Sequence, residues 1–125
     1  MTGALIHRKE GRRLRRPIAT GATVDYGVLA AIDVTGAVVP AGDVALAIVG
    51  IVTGIADENG VQYADIERGE AYGFASAVGP GAVTAAHIGA PAFATDATTI
   101  THIATDNPPC GVIHDVDGDF VWIRI

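Results

Sequence analysis

Apolar residues in this chain come in short runs, each closed by a turn signal. Val24 to Ile32 is followed by Asp33-Val34-Thr35-Gly36, and Ala37 to Val39 by Pro40-Ala41-Gly42-Asp43. Val44 to Ala56 ends at Asp57-Glu58-Asn59-Gly60. Asn-Gly between β-rich segments marks a hairpin, because both residues tolerate positive φ. In the return segment, Val61, Tyr63 and Asp65 share one face, and Gln62, Ala64 and Ile66 the other. Glu67-Arg68-Gly69-Glu70 leads into Ala71 to Val78, which stops at Gly79-Pro80-Gly81.

Val83 to Ile88 has room for one helical turn, ended by Gly89. Pro91 to Ala94 and Thr98 to Ile103 read as two short strands, and Asn107-Pro108-Pro109 as a loop. The close is a hairpin: Cys110 to Asp115, a turn at Asp117-Gly118, then Asp119 to Ile125. There Val121, Ile123 and Ile125 alternate with Phe120, Trp122 and Arg124. Strands spaced by turns at such intervals predict an all-β fold: a small barrel or sandwich of short antiparallel strands with at most one short helix.

Composition narrows this further. Sixteen glycines and six prolines oppose long helices. The longest apolar stretch, Val44 to Ala56, is too short for a membrane-spanning helix, which needs about 20 residues. The single cysteine, Cys110, allows no internal disulfide and no Cys-based metal site, and production in a cytoplasm fits. The net charge of −6 conceals a division. Arg8, Lys9, Arg12, Arg13, Arg15 and Arg16 face only Glu10 within the first 16 residues, whereas the remainder holds Arg68, Arg124 and 13 acidic residues. Residues 1–17 therefore read as an extended basic arm, and residues 18–125 as an acidic β body. Removing residues 1–16 is expected to leave a folded barrel.

Candidate chemistry is sparse. Asp115-Val116-Asp117-Gly118-Asp119 starts like a calcium loop, but its glycine is the fourth residue and the required twelfth position lies past residue 125, so it reads as a solvated turn. His7, His87, His102 and His114 form no HxH, HExxH or HxxxH pair. Ser76 lacks a glycine elbow, and nothing in the sequence sets a histidine beside it or Cys110. No phosphate-binding loop is present, and Lys9 is the only lysine. No catalytic residue, metal site or cofactor is therefore expected, and the arm is left as the candidate binding element. The residues argue against nucleic acid as the partner, since the body would repel a polyanion and no aromatic interleaves with the basic residues. An acidic protein surface suits these arginines better.

The order of features over residues 20–125 resembles the capsid decoration, or head cement, proteins of tailed phages, a family often labelled as a domain of unknown function. The resemblance lies in Gly50-Ile51-Val52-Thr53-Gly54-Ile55-Ala56, in the polar Val61 to Glu70 stretch before Ala71-Tyr72-Gly73-Phe74, and in Ile88-Gly89-Ala90-Pro91-Ala92-Phe93 with Thr98-Thr99-Ile100-Thr101. The ending, Cys110-Gly111-Val112-Ile113 and Phe120-Val121-Trp122-Ile123-Arg124-Ile125, also looks like the family's. Ala90-Pro91 stands where Asp-Lys is common, and the basic N-terminus is a departure. The resemblance implies a compact β-barrel, commonly a homotrimer, on the outer surface of the virion head. There it would bind the major capsid protein and stabilise the lattice without catalysis. On this reading Leu5, Ile6 and Leu14 are apolar anchors, and Arg8, Lys9, Arg12, Arg13, Arg15 and Arg16 are capsid contacts. The alternatives are a nucleic-acid-associated barrel using the same arm, or a carbohydrate-binding adhesin module stacking sugar on Trp122, Tyr26 or Tyr72.

Overall fold

A computed structural model describes residues 11–125. Ten strands carry the fold: β1 (Arg13–Pro17), β2 (Leu29–Ile32), β3 (Val38–Pro40), β4 (Ile48–Glu58), β5 (Val61–Glu67), β6 (Ala71–Ser76), β7 (Pro91–Asp96), β8 (Thr99–Thr101), β9 (Pro109–Asp117) and β10 (Phe120–Arg124). The only helical pieces among the described residues are two 3-10 turns, Gly79–Gly81 and Ala85–His87. The second lies within the stretch where a single turn was expected, before Gly89. The protein is all-β, as the turn-punctuated pattern predicts.

The strands form two layers. One is a five-stranded sheet in the order β1-β5-β4-β2-β3, and the other a closed five-stranded barrel, β10-β6-β8-β7-β9. All sheet pairings are antiparallel, and in the barrel only β6 and β8 run parallel. A bridge between Ile18 and Val38 brings the end of β1 against β3, so the sheet curls round its own core. The β4–β5 hairpin turns at Asn59 (φ 53°) and Gly60 (φ 81°), a pair of left-handed residues matching strand twist. In β5 the predicted faces separate: Ala64 and Ile66 are buried, whereas Val61 is exposed.

Two apolar clusters result. Phe74, Ile100, Ile113, Val121 and Ile123 fill the barrel, and Val38, Val52, Ala64 and Ile66 lie inside the curled sheet. Strand β2 is the wall between them: Leu29 belongs to the barrel cluster and Ala30 to the sheet cluster, both fully buried. That explains why Val28 to Ile32 reads as a continuous apolar run rather than an alternation, since a strand buried on both faces has no polar side. The N–H of Leu29 donates to the Ala97 carbonyl at 2.8 Å, joining the layers through the main chain.

The boundary expected at Pro17 shifts. Arg13–Pro17 pairs with β5 along its whole length, with Arg13 opposite Glu67 and Arg15 opposite Asp65. Of the expected arm, residues 1–10 lie outside the described residues, Gly11 and Arg12 form a turn, and Arg13–Pro17 belongs to the sheet.

Candidate functional site

Strand β1 alternates in a way that gives each face a separate task. Leu14 and Arg16 face the side of Ile66 and Ala64, and Leu14 packs against the sheet core. Arg16 reaches past that core and donates from Nε to the Gly36 carbonyl at 2.8 Å, tying β1 to the loop before β3. Arg13 and Arg15 point to the outer face, where β5 presents Glu67 and Asp65.

Arg15 grips two acids. Its Nε donates to Asp65 Oδ1 at 2.7 Å and Nη2 to Asp65 Oδ2 at 3.0 Å, a two-pronged contact suited to a planar guanidinium. Its Nη1 donates to Glu58 Oε1 at 2.7 Å. Strand β4 makes room by placing Gly54 opposite Asp65: a Cβ there would stand 2.9 Å from Asp65 Oδ2. Arg13 lies 3.8 Å from Glu67, whose other oxygen accepts the Tyr72 hydroxyl at 3.3 Å. Arg12 pairs with Glu70, and Arg68 donates to the Gly11 carbonyl at 3.1 Å. The outer face forms a groove of about 550 Å³ lined by Arg13, Arg15, Thr53, Asp65 and Glu67 with the edges of Leu14 and Ile66.

Electrostatics follow from this pairing. The hydrogen bond from Arg15 lowers the Asp65 carboxyl below its ordinary value, and Asp65 in turn raises Arg15. Burial first, then the Glu67 charge, raises the Tyr72 hydroxyl. Asp33 is lowered chiefly by the Thr35 hydroxyl and the Ala37 N–H. A carboxyl lowered in the folded state contributes stability above its unfolded value and loses it as pH falls through the folded value. The thermal midpoint should therefore decline as pH drops below about 4. Asp65→Asn should melt lower at neutral pH and show a flatter decline in acid. A full acid decline in that variant would mean that the Arg15 pair adds nothing.

Among the expected binding residues, Leu5, Ile6, Arg8 and Lys9 lie outside the described residues. Arg12, Arg13 and Arg15 are placed at the surface, where each side chain also meets one of the body's own acids, and Leu14 packs against the sheet core. The physical reason is register: arginines at alternate positions of β1 meet carboxylates at alternate positions of β5. Arg13-x-Arg15 against Asp65-x-Glu67 was visible in the sequence as two complementary period-two charge patterns, but the charge division at Pro17 concealed it.

The other chemical candidates are engaged structurally. Cys110 is buried, and burial pushes its thiol up to about 12, so it is protonated at neutral pH. A thiol reagent should leave Cys110 unmodified in the native protein and titrate one thiol after unfolding; fast native labelling would contradict its burial. The Ser76 hydroxyl donates to the Ala77 carbonyl and accepts the Val83 N–H, both at 2.9 Å. Two histidines do meet: the His87 and His102 rings stack with centroids 4.0 Å apart. His87 Nδ1 accepts the Thr84 N–H, and His102 Nε2 donates to the Pro80 carbonyl, so the pair pins the loop containing both 3-10 turns. No three His, Cys, Asp or Glu residues converge to hold a metal among the described residues. No helix among them is long and apolar enough to cross a membrane. Comparison with models of known protein families, with curated proteins and with solved structures gives no match.

Proposed function

We propose that this is a non-enzymatic structural protein that binds the outer surface of a phage head and stabilises the lattice of its major capsid protein. The observation that carries this reading is the way the basic segment joins the body. Strand β1 is clamped to β5 by Arg15, Asp65 and Glu58, so residues 1–10 leave a firmly paired sheet edge at Gly11. A segment bearing Leu5, Ile6, Arg8 and Lys9 and anchored in this way suits a tether onto a neighbouring protein. Arg12, Arg13 and Arg15 stay exposed beside their acidic partners, so they extend the contact surface of those four residues, and the β body acts as the rigid piece. In a homotrimer three such segments would engage together, the second and third at high effective concentration. Cytoplasmic production followed by addition to the assembled head completes the scheme.

The test is co-sedimentation of purified protein with expanded heads and with unexpanded proheads. Binding should saturate on expanded heads and fall at least tenfold in an Arg8→Glu/Lys9→Glu variant that melts normally. Absence of binding to either particle overturns the proposal. Retention on DNA with a steep salt dependence would instead favour the nucleic-acid reading.

A further inference from the structure

The barrel carries an exposed aromatic platform unrelated to the arginine strand. Along β10, Val121 and Ile123 are fully buried, whereas Phe120 is 57% exposed and Trp122 37%. Phe120 lies between Ala75 of β6 and Asp117 of β9, and Trp122 between Gly73 and Asp115. On the β6 side the neighbours are therefore minimal in size, and on the β9 side they are carboxylates.

Gly73 determines how the indole lies. A Cβ at Gly73 would be 3.3 Å from Trp122 Cη2 and 3.4 Å from both Cζ2 and Cζ3. A ring meeting the strand edge-on would hold only one of these atoms so close. The six-membered ring therefore covers Gly73 face-on, and Trp122 as a whole stays 37% exposed. Asp115 is oriented by accepting the Val116 N–H on Oδ1 at 2.8 Å, with Oδ2 left for another donor.

From this geometry we propose that Phe120 and Trp122, with Asp115 and Asp117, form a binding platform for a neutral carbohydrate. A pyranose ring has an apolar C–H face that matches a flat indole and hydroxyl donors at its rim that match carboxylates on the adjacent strand. A second copy of the chain fits less well. Face-to-face docking would bring four like-charged carboxylates together, and two rings fall far below the roughly 800 Å² per partner of a stable protein interface. Of the three aromatics considered from sequence, Tyr72 is engaged by Glu67 and packed on the barrel core, and Tyr26 is 66% exposed in the segment before β2. Trp122 is the one that covers a glycine on one neighbouring strand and has a carboxylate opposite it on the other. This inference does not depend on capsid binding.

Trp122 is the only tryptophan, so its emission reports on the platform directly. Cellohexaose, chitohexaose and maltohexaose would be titrated into the full-length protein by fluorescence and calorimetry. At least one should bind with a dissociation constant in the range of about 10 µM to 1 mM and shift the emission. Trp122→Ala should abolish the calorimetric signal, Trp122→Phe should retain part of it, and Asp115→Asn should weaken it several-fold. Phe120→Ala, at an exposed position, should weaken binding with an unchanged melting curve and so guards against misfolding of the tryptophan variants. No binding of any of the three sugars at about 10 mM overturns the proposal. So does binding that survives both Trp122→Ala and Phe120→Ala. Concentration-dependent self-association lost in Phe120→Ala, with no sugar binding, would assign the face to a second copy.

Discussion

Gly111→Ala is expected to destabilise the protein by about 3 kcal/mol or more, lowering the melting temperature by over about 10 °C. Gly111 lies in β9, opposite Ala92 of β7, at φ 145°, a backbone region that L side chains rarely occupy. A Cβ there would also run into the Arg124 carbonyl of β10, well inside van der Waals contact, and stand 3.4 Å from Ile125 Cα. Neither partner can yield easily. β10 is held by β6 on one side and β9 on the other in a closed barrel, and Ile113, two residues on, is fully packed in its core. Conformational strain and overpacking each cost about 1–3 kcal/mol. Gly21→Ala separates the two: Gly21 has φ 81° with nothing near its added Cβ, so that variant should lose only the strain share. Equal losses in the two variants, measured by denaturant midpoints, would show that the Gly111–Arg124 approach is not tight.

Much of this architecture is legible in the sequence because its signals are local. The alternation Val121-x-Ile123 fixes which face of β10 enters the barrel, and Asn59-Gly60 fixes the hairpin that registers β4 against β5. What stays hidden is non-local. Nothing in Ala75-Ser76 or Thr99-Ile100 announces that β6 and β8 pair in parallel to close the barrel. Likewise, Leu29 and Ala30 give no sign of belonging to different cores. The candidate site shows the same limit. Net charge read along the chain separates a basic end from an acidic body, but it is blind to pairing between residues fifty positions apart. Four of the six cations in that basic end, Arg12, Arg13, Arg15 and Arg16, make contacts with the body.

Those contacts add a stability cost to truncation, although the closed barrel, which does not include β1, should still fold. A chain beginning at Ile18 lacks β1, whereas one beginning at Gly11 keeps it, so the difference between them isolates the strand. Losing β1 removes the Leu14 contact with the sheet core and the whole β1–β5 ladder, and bares the edge of β5 beside Ile66. The Leu14 contact and ladder together should be worth roughly 2 kcal/mol, since truncating a buried leucine alone costs about 2–5 and Leu14 is only half-buried. The chain beginning at Ile18 should therefore melt about 10 °C below the one beginning at Gly11. It should also associate through the newly exposed strand edge, because unpaired N–H and C=O groups template pairing with another chain. Sedimentation of the two variants at several concentrations checks the second effect, and thermal melting the first. Identical melting curves would mean that β1 only rests on the sheet and that the basic arm does extend to Pro17. A gap of the expected size means that β1 belongs to the sheet and that the basic segment departs from it before Arg13 rather than at Pro17.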